Sequence, residues 1–120
     1  MAVTNLTITS LAASLFQDTV NTNAAAVVKA SSGTLYAMTV DNSALAAVAY
    51  VKLYDTAGAV VVGTTVPDWV FKITASIVVP IVWAPGIAFS AGLQVCTVTT
   101  GGTAGAVAVA TPPAVRIAYS

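Results

Sequence analysis

The sequence predicts a single all-β domain, an antiparallel β-sandwich or barrel of about eight to ten short strands. Its 120 residues fit one domain better than two. Apolar residues make up 58 % of the chain and are mostly Ala and Val, often flanked by Thr, which favours strands over helices. Turn signals separate short apolar segments, and no alternation of strand and helix patterns is present.

Residues 1–23 are interpreted as a strand followed by an irregular segment, or as an extended arm packed on the domain or exchanged with a neighbour. Residues 10–16 could also form a short helical turn with Ser10 as its cap. The apolar side chains of this segment would either close the domain's own core or contact another subunit. These interface candidates are Leu6, Ile8, Leu11, Leu15 and Phe16.

Residues 24–120 are expected to form the sandwich domain, because strand patterns follow one another from residue 24 onward. A turn is predicted at residues 84–86, and Pro80 suggests an edge strand or a bulge. Residues 103–111 are interpreted as a loop or weak strand. The predicted strands are 24–30, 34–41, 48–55, 69–74, 77–83, 93–100 and 114–119, with 59–66 a further apolar stretch.

Alternation of apolar side chains predicts which residues share a face of each strand. In the second predicted strand, one face would carry Tyr36, Met38 and Val40. In the third, Val51 and Leu53 would point one way, and Tyr50, Lys52 and Tyr54 the other. The last strand would turn Val115, Ile117 and Tyr119 to one side.

Charged residues are only 7 % of the chain, and the four Asp balance the four Lys and Arg, so the formal net charge is zero. Scattered, balanced cations make nucleic acid an unsuitable partner. A nearly uncharged surface favours association, so we expect a homo-oligomer, dimer or trimer, or a component of a larger assembly.

Neither a membrane span nor a secretory signal is expected. The charge-free run from 73 to 115 is interrupted by Pro and Gly, and its most apolar part, 77–89, is shorter than the roughly 20 residues of a spanning helix. The N-terminus has no basic region of the kind that begins a signal peptide.

The residue types that usually carry catalysis are scarce, so we expect no enzyme, cofactor or metal site. The chain has no His and no Glu, and Asp41, Asp55 and Asp68 occupy turn-like positions where carboxylates bond nearby backbone amides. Cys96 is the single cysteine, and we expect a buried, inert thiol. The Gly-rich segment 101–105 lacks the Lys and helix start of a phosphate loop and is interpreted as a turn.

Trp69, Phe71 and Trp83 are the largest apolar side chains in the middle of the chain. We expect them to form a core cluster between the sheets. Alternatively, Trp69 and Trp83 are exposed interface residues that bind a protein or, beside Asp68, a sugar.

Six short segments between residues 33 and 105 form an ordered set. They are GTLY at 33–36, VDN at 40–42, YVKLYD at 50–55, VGTTVPD at 62–68, GIAF at 86–89 and CTVTTGGT at 96–103. In this order they resemble small virion-associated proteins of tailed bacteriophages, cyanophages among them. The segments are strand and turn motifs, and residues 1–32 carry no such resemblance.

The resemblance implies a capsid decoration (cement) protein, or another small structural component, without an active site. It would be made in the host cytoplasm and located in the virion, at the capsid surface, with the major capsid protein or other virion proteins as partners. The alternative is a tail or fibre component that recognises a glycan of the host surface through Trp69 or Trp83.

Overall fold

The computed structural model describes residues 13–120, which form eight strands in two four-stranded antiparallel sheets, as expected for the predicted β-sandwich. Sheet A has the order β1-β8-β3-β6, and sheet B the order β2-β7-β4-β5. No helix that could span a membrane occurs in this part of the chain. The strands are β1 (Ser14–Asp18), β2 (Ala26–Lys29), β3 (Gly33–Asp41), β4 (Ala49–Tyr54), β5 (Trp69–Ile73), β6 (Val78–Phe89), β7 (Leu93–Val98) and β8 (Ala114–Tyr119).

The main core lies between the two sheets and is built from alternate residues of the central strands. Val51 and Leu53 of β4 are fully buried there, as are Val115 and Ile117 of β8, and these predicted faces are confirmed. Burying each such side chain contributes about 1.5–3 kcal/mol to folding.

The central strands β4 and β7 of sheet B are buried on both faces, whereas among residues 13–120 sheet A is buried on one. Every residue of β7 is buried, and the side of sheet B away from the main core carries a second apolar cluster of Tyr54, Cys96 and Val98. Val60 and Val62 pack onto this cluster from the loop between β4 and β5. Loops therefore give sheet B a cover of its own.

The predicted face of β3 is wrong at its first residue. Leu35, not Tyr36, lies in the core with Met38 and Val40, because the register with both neighbouring strands shifts between Leu35 and Ala37. A one-residue shift moves a side chain to the other face of a strand. Tyr36 is half-buried, and its hydroxyl lies 3.1 Å from Ser120 Oγ.

The predicted turn at residues 84–86 is also wrong, because β6 continues through it to Phe89. Leu35 pairs with Ile87 and Ala37 with Val82, so the residues between them on β6 bulge out opposite Tyr36. The bulge contains a cis Ala84–Pro85 peptide bond and Gly86 with φ of 121°.

Pro80 lies on an edge strand, one of the two alternatives predicted for it. The backbone N–H of Asn42 donates to Ile77 O, so Asn42 and Ile77 form a hydrogen-bonded pair. Hydrogen-bonded and non-hydrogen-bonded pairs alternate along two antiparallel strands, which makes Thr39–Pro80 a non-hydrogen-bonded pair. The nitrogen of Pro80 therefore faces the free edge of β6. Because no other described strand of the sheet lies there, the lack of an N–H on Pro80 removes no hydrogen bond from the sheet.

Of the two alternatives for the N-terminal segment, the structure favours a strand: residues 14–16 belong to β1, which pairs with β8, and not to a helical turn, while residues 10–12 lie outside the described residues. The apolar stretch 59–66 forms no strand; the amides of Thr64 and Thr65 both donate to Val61 O and close a turn there.

Replacing Gly86 with Ala is expected to destabilise the fold by about 1–3 kcal/mol. The positive φ strains any L side chain, and a Cβ at this position would lie 2.6 Å from Thr34 Cγ2. Urea unfolding of Gly86→Ala measures the loss. Gly102→Ala is the matched control, because its Cβ would meet nothing within 4 Å; equal stability of the two variants would contradict the role of Gly86.

Candidate interaction surface

An apolar row crosses the outer side of sheet A, the side that faces away from the core. Register places Leu15 beside Ala118, Ala118 beside Ala37, and Ala37 beside Val82, one residue from each strand. Leu15 is 66 % exposed and Val82 75 % exposed at the two ends. The row is therefore a shallow strip with larger aliphatic side chains at its ends and methyl groups in the middle.

Two further rows continue this surface along the strands. The first joins Gln17, Arg116, Thr39 and Pro80. The second joins Ala114, Asp41 and Val78. We call the three rows together the open face. No loop of residues 13–120 buries its end residues, in contrast to the covered side of sheet B.

The open face carries one cation, Arg116, and one anion, Asp41. The Asp41 carboxylate accepts hydrogen bonds from the side chain and backbone of Ser43, which lower its pKa, and Arg116 adds to the effect. The turn role predicted for Asp41 is confirmed. Most of the open face is therefore neutral.

Lys52 explains how the opposite side of the sandwich stays closed. Its side chain is fully buried on the covered side of sheet B, and Nζ donates to Gly102 O at 2.6 Å and Gly105 O at 2.8 Å. The predicted turn at 101–105 is thus the cap of a buried lysine. In the sequence, Lys52 is counted as one of several scattered cations, and its burial is not predicted. The feature that could have indicated burial is its position between Tyr50 and Tyr54 on one face of a strand.

Gln94 holds a second part of the cover. Its Nε2 donates to Thr56 O at 3.0 Å and Gly58 O at 2.7 Å, which fixes the start of the loop that carries Val60 and Val62. On the same strand, Thr97 Oγ1 donates to Asn21 Oδ1 at 2.7 Å and ties down the connection between β1 and β2. Polar side chains of β7 therefore hold the loops around sheet B.

Asp55 and Asp68 accept hydrogen bonds from backbone amides, as predicted, but from distant segments and not from their own turns. The Asp55 carboxylate accepts bonds from the amides of Ser90, Ala91 and Gly92 in the turn between β6 and β7. Burial alone would raise the pKa of Asp55, but these bonds outweigh it and the pKa is lowered. Asp68 Oδ2 accepts from the Asp55 amide at 2.6 Å.

Cys96 is fully buried, as predicted, with Sγ 3.8 Å from the Tyr54 hydroxyl. Burial raises the pKa of the thiol and of the Tyr54 phenol. A buried thiol of raised pKa is a poor nucleophile at neutral pH.

Trp69, Phe71 and Trp83 pack against the main core but remain half-buried. Phe71 and Trp83 lie with ring centroids 5.5 Å apart and planes tilted by 58°, so they join β5 of sheet B to β6 of sheet A. These aromatic residues close one side of the sandwich.

The interface candidates near the N-terminus differ in placement. Leu15 projects from the open face, and Phe16 packs against the core on the other side of β1. Leu6, Ile8 and Leu11 lie outside the described residues.

Within residues 13–120 no group of three or more Asp, Glu, His or Cys side chains is arranged to hold a metal ion, and no pocket is found. Comparisons of the chain with protein families, with curated proteins and with solved structures find no match.

Lys52→Met is expected to lower the free energy of unfolding by about 1–3 kcal/mol, because it removes two buried hydrogen bonds. Hydrogen exchange at residues 101–106 should accelerate. Lys72→Met, at an exposed position of β5, is the matched control and should stay within about 0.5 kcal/mol of the parent. Similar unfolding energies for both variants would refute the anchoring role of Lys52.

Asp55→Asn is expected to destabilise the protein by about 1–3 kcal/mol at pH 7, because hydrogen bonds to an ionised acceptor are lost. The folded-state pKa of Asp55 is lowered, so its contribution is present above the unfolded value of about 3.9 and is lost as pH falls below it. Urea unfolding at pH 7 and pH 3 should therefore show a smaller difference between the two proteins in acid. A difference that is constant across this range would contradict the assignment.

Proposed function

We propose that this chain is a non-enzymatic structural protein of a phage particle, which decorates and stabilises the capsid as an oligomer. The observation that carries the proposal is the open face of sheet A: three rows that are mostly uncharged, with Leu15 and Val82 projecting at the ends of one row. The resemblance of residues 33–105 to virion-associated phage proteins supports the location. The partner is the major capsid protein or another virion protein.

The open face suits protein contacts for physical reasons. Sheets pack face to face through flat surfaces, as they do inside a sandwich. Small residues such as Ala37 and Ala118 let another surface approach closely, and few ions have to lose water on binding. Arg116 and Asp41 supply opposite charges that fix the orientation of the partner. The contact adds stability to the shell without any chemical step.

The proposal is tested by sedimenting particles of the phage that encodes the chain and measuring how much chain travels with them. The chain is expected to sediment with the heads in a fixed ratio. If it never travels with capsids or tails, the proposal is wrong.

A charge placed on the open face should weaken this association. Val82→Glu is expected to reduce the amount bound at least about 10-fold, because the new carboxylate would lose its water in the contact. Val61→Glu is the matched control: Val61 is also an exposed valine, at 59 %, but it lies in the loop over sheet B. Equal binding of the two variants would exclude the open face as the contact.

A further inference from the structure

Within residues 13–120, β1 is an edge strand of sheet A, and no described strand pairs with its outer side. The backbone N–H groups of Ser120 and Thr34 each donate to the carbonyl oxygen of the other residue. The N–H and C=O groups of every second β8 residue, counted back from Ser120, therefore point to β3. The N–H and C=O groups of the β8 residues between them point to β1. Tyr119, Ile117 and Val115 therefore bond the β1 residues opposite them. The N–H and C=O groups of Leu15 and Gln17 point away from sheet A.

The other three edges of the sandwich carry features that oppose further strand pairing. Such features are bulges, prolines and lysines. In β6, Pro80 has no N–H to donate at the free edge, and residues 83–86 form a bulge. β2 shifts register between Val27 and Lys29, and β5 carries the exposed Lys72. β1 contains no proline, lysine or bulge, and its one charged residue, Asp18, is at its C-terminal end, where the carboxylate accepts bonds from Val20 N and Asn21 Nδ2.

We propose that β1 pairs with β1 of a second copy, antiparallel, around a twofold axis at Leu15. Identical strands related by a twofold axis are self-complementary, because the free donors of each meet the free acceptors of the other. This register uses the backbone groups that sheet A leaves unpaired. It also brings the two exposed Leu15 side chains into contact on the open face, which removes apolar surface from water.

The result is one continuous sheet made from sheet A of both copies. The inference goes beyond the proposed capsid role and does not depend on it, since it concerns the free protein in solution. Association with particles and pairing of β1 can therefore succeed or fail separately.

Sedimentation velocity of the full chain is expected to give twice the mass of one chain. Gln17→Pro should weaken the dimer at least about 100-fold, because each copy loses a donor and gains a ring at the edge. The Gln17 N–H makes no bond within sheet A, so thermal unfolding should report an intact fold. Val82→Pro is the matched control: it makes the same change at the free edge of β6 and should leave the dimer intact.

Cross-linking tests the register. Leu15→Cys should form a disulfide-linked dimer on mild oxidation, since Cys96 is buried; Val82→Cys should not. A full chain that stays monomeric at high concentration, or that forms a trimer, overturns the proposal, whatever else covers β1. So does a dimer that survives Gln17→Pro, or a Leu15→Cys protein that forms no cross-link.

Discussion

The structure depends on how the polar side chains on the covered side of sheet B are satisfied. A buried amine without a hydrogen-bond partner is strongly unfavourable, and among the described residues Lys52 Nζ donates to no carboxylate. It uses the carbonyls of Gly102 and Gly105 instead, so the 101–105 turn must lie over β4. Gln94 fixes the loop after β4 in the same way. Because these bonds hold the loops in place, Tyr54, Cys96 and Val98 lie inside the protein. No loop of the described residues 13–120 covers the end residues of the open face of sheet A in the same way.

The sequence was informative where strands are regular and misleading where the register shifts. Alternation located the core faces of residues 48–55 and 114–119, because no bulge interrupts β4 or β8 on those faces. It failed at Tyr36, since the shift between Leu35 and Ala37 is opposite a bulge on another strand. Lys52 was missed because its acceptors are 50 and 53 residues away. Of the open face, Leu15 was identified as an interface candidate; Ala37 and Ala118 were not, because alanines become a surface only when the pairing of β1, β8, β3 and β6 aligns them.

The high apolar content has two separate explanations in the fold. Part of it is internal to the chain: Val60 and Val62 resemble strand residues in the sequence, but they cover the second apolar cluster. A low charge content therefore does not by itself require neighbouring subunits. The rest is exposed: Leu15, Val78 and Val82 project from one face of sheet A, and other exposed valines, such as Val66 and Val107, are spread over loops and other strands. The proposal that this protein associates through sheet A thus depends on the placement of three exposed side chains on one face, rather than on the average composition of the surface.

The open face of one copy is smaller than a usual protein contact, and pairing of two copies through β1 would double it. Four strands about 4.8 Å apart and three rows about 6.8 Å apart cover roughly 400 Å². A stable protein contact buries about 800 Å² on each partner, so one open face supplies about half of the usual area. If β1 joins two copies, their open faces become one surface of about 800 Å², with the paired Leu15 side chains at its centre. A dimer would then bind a capsid lattice far more tightly than a single copy, because its second half binds at high effective concentration.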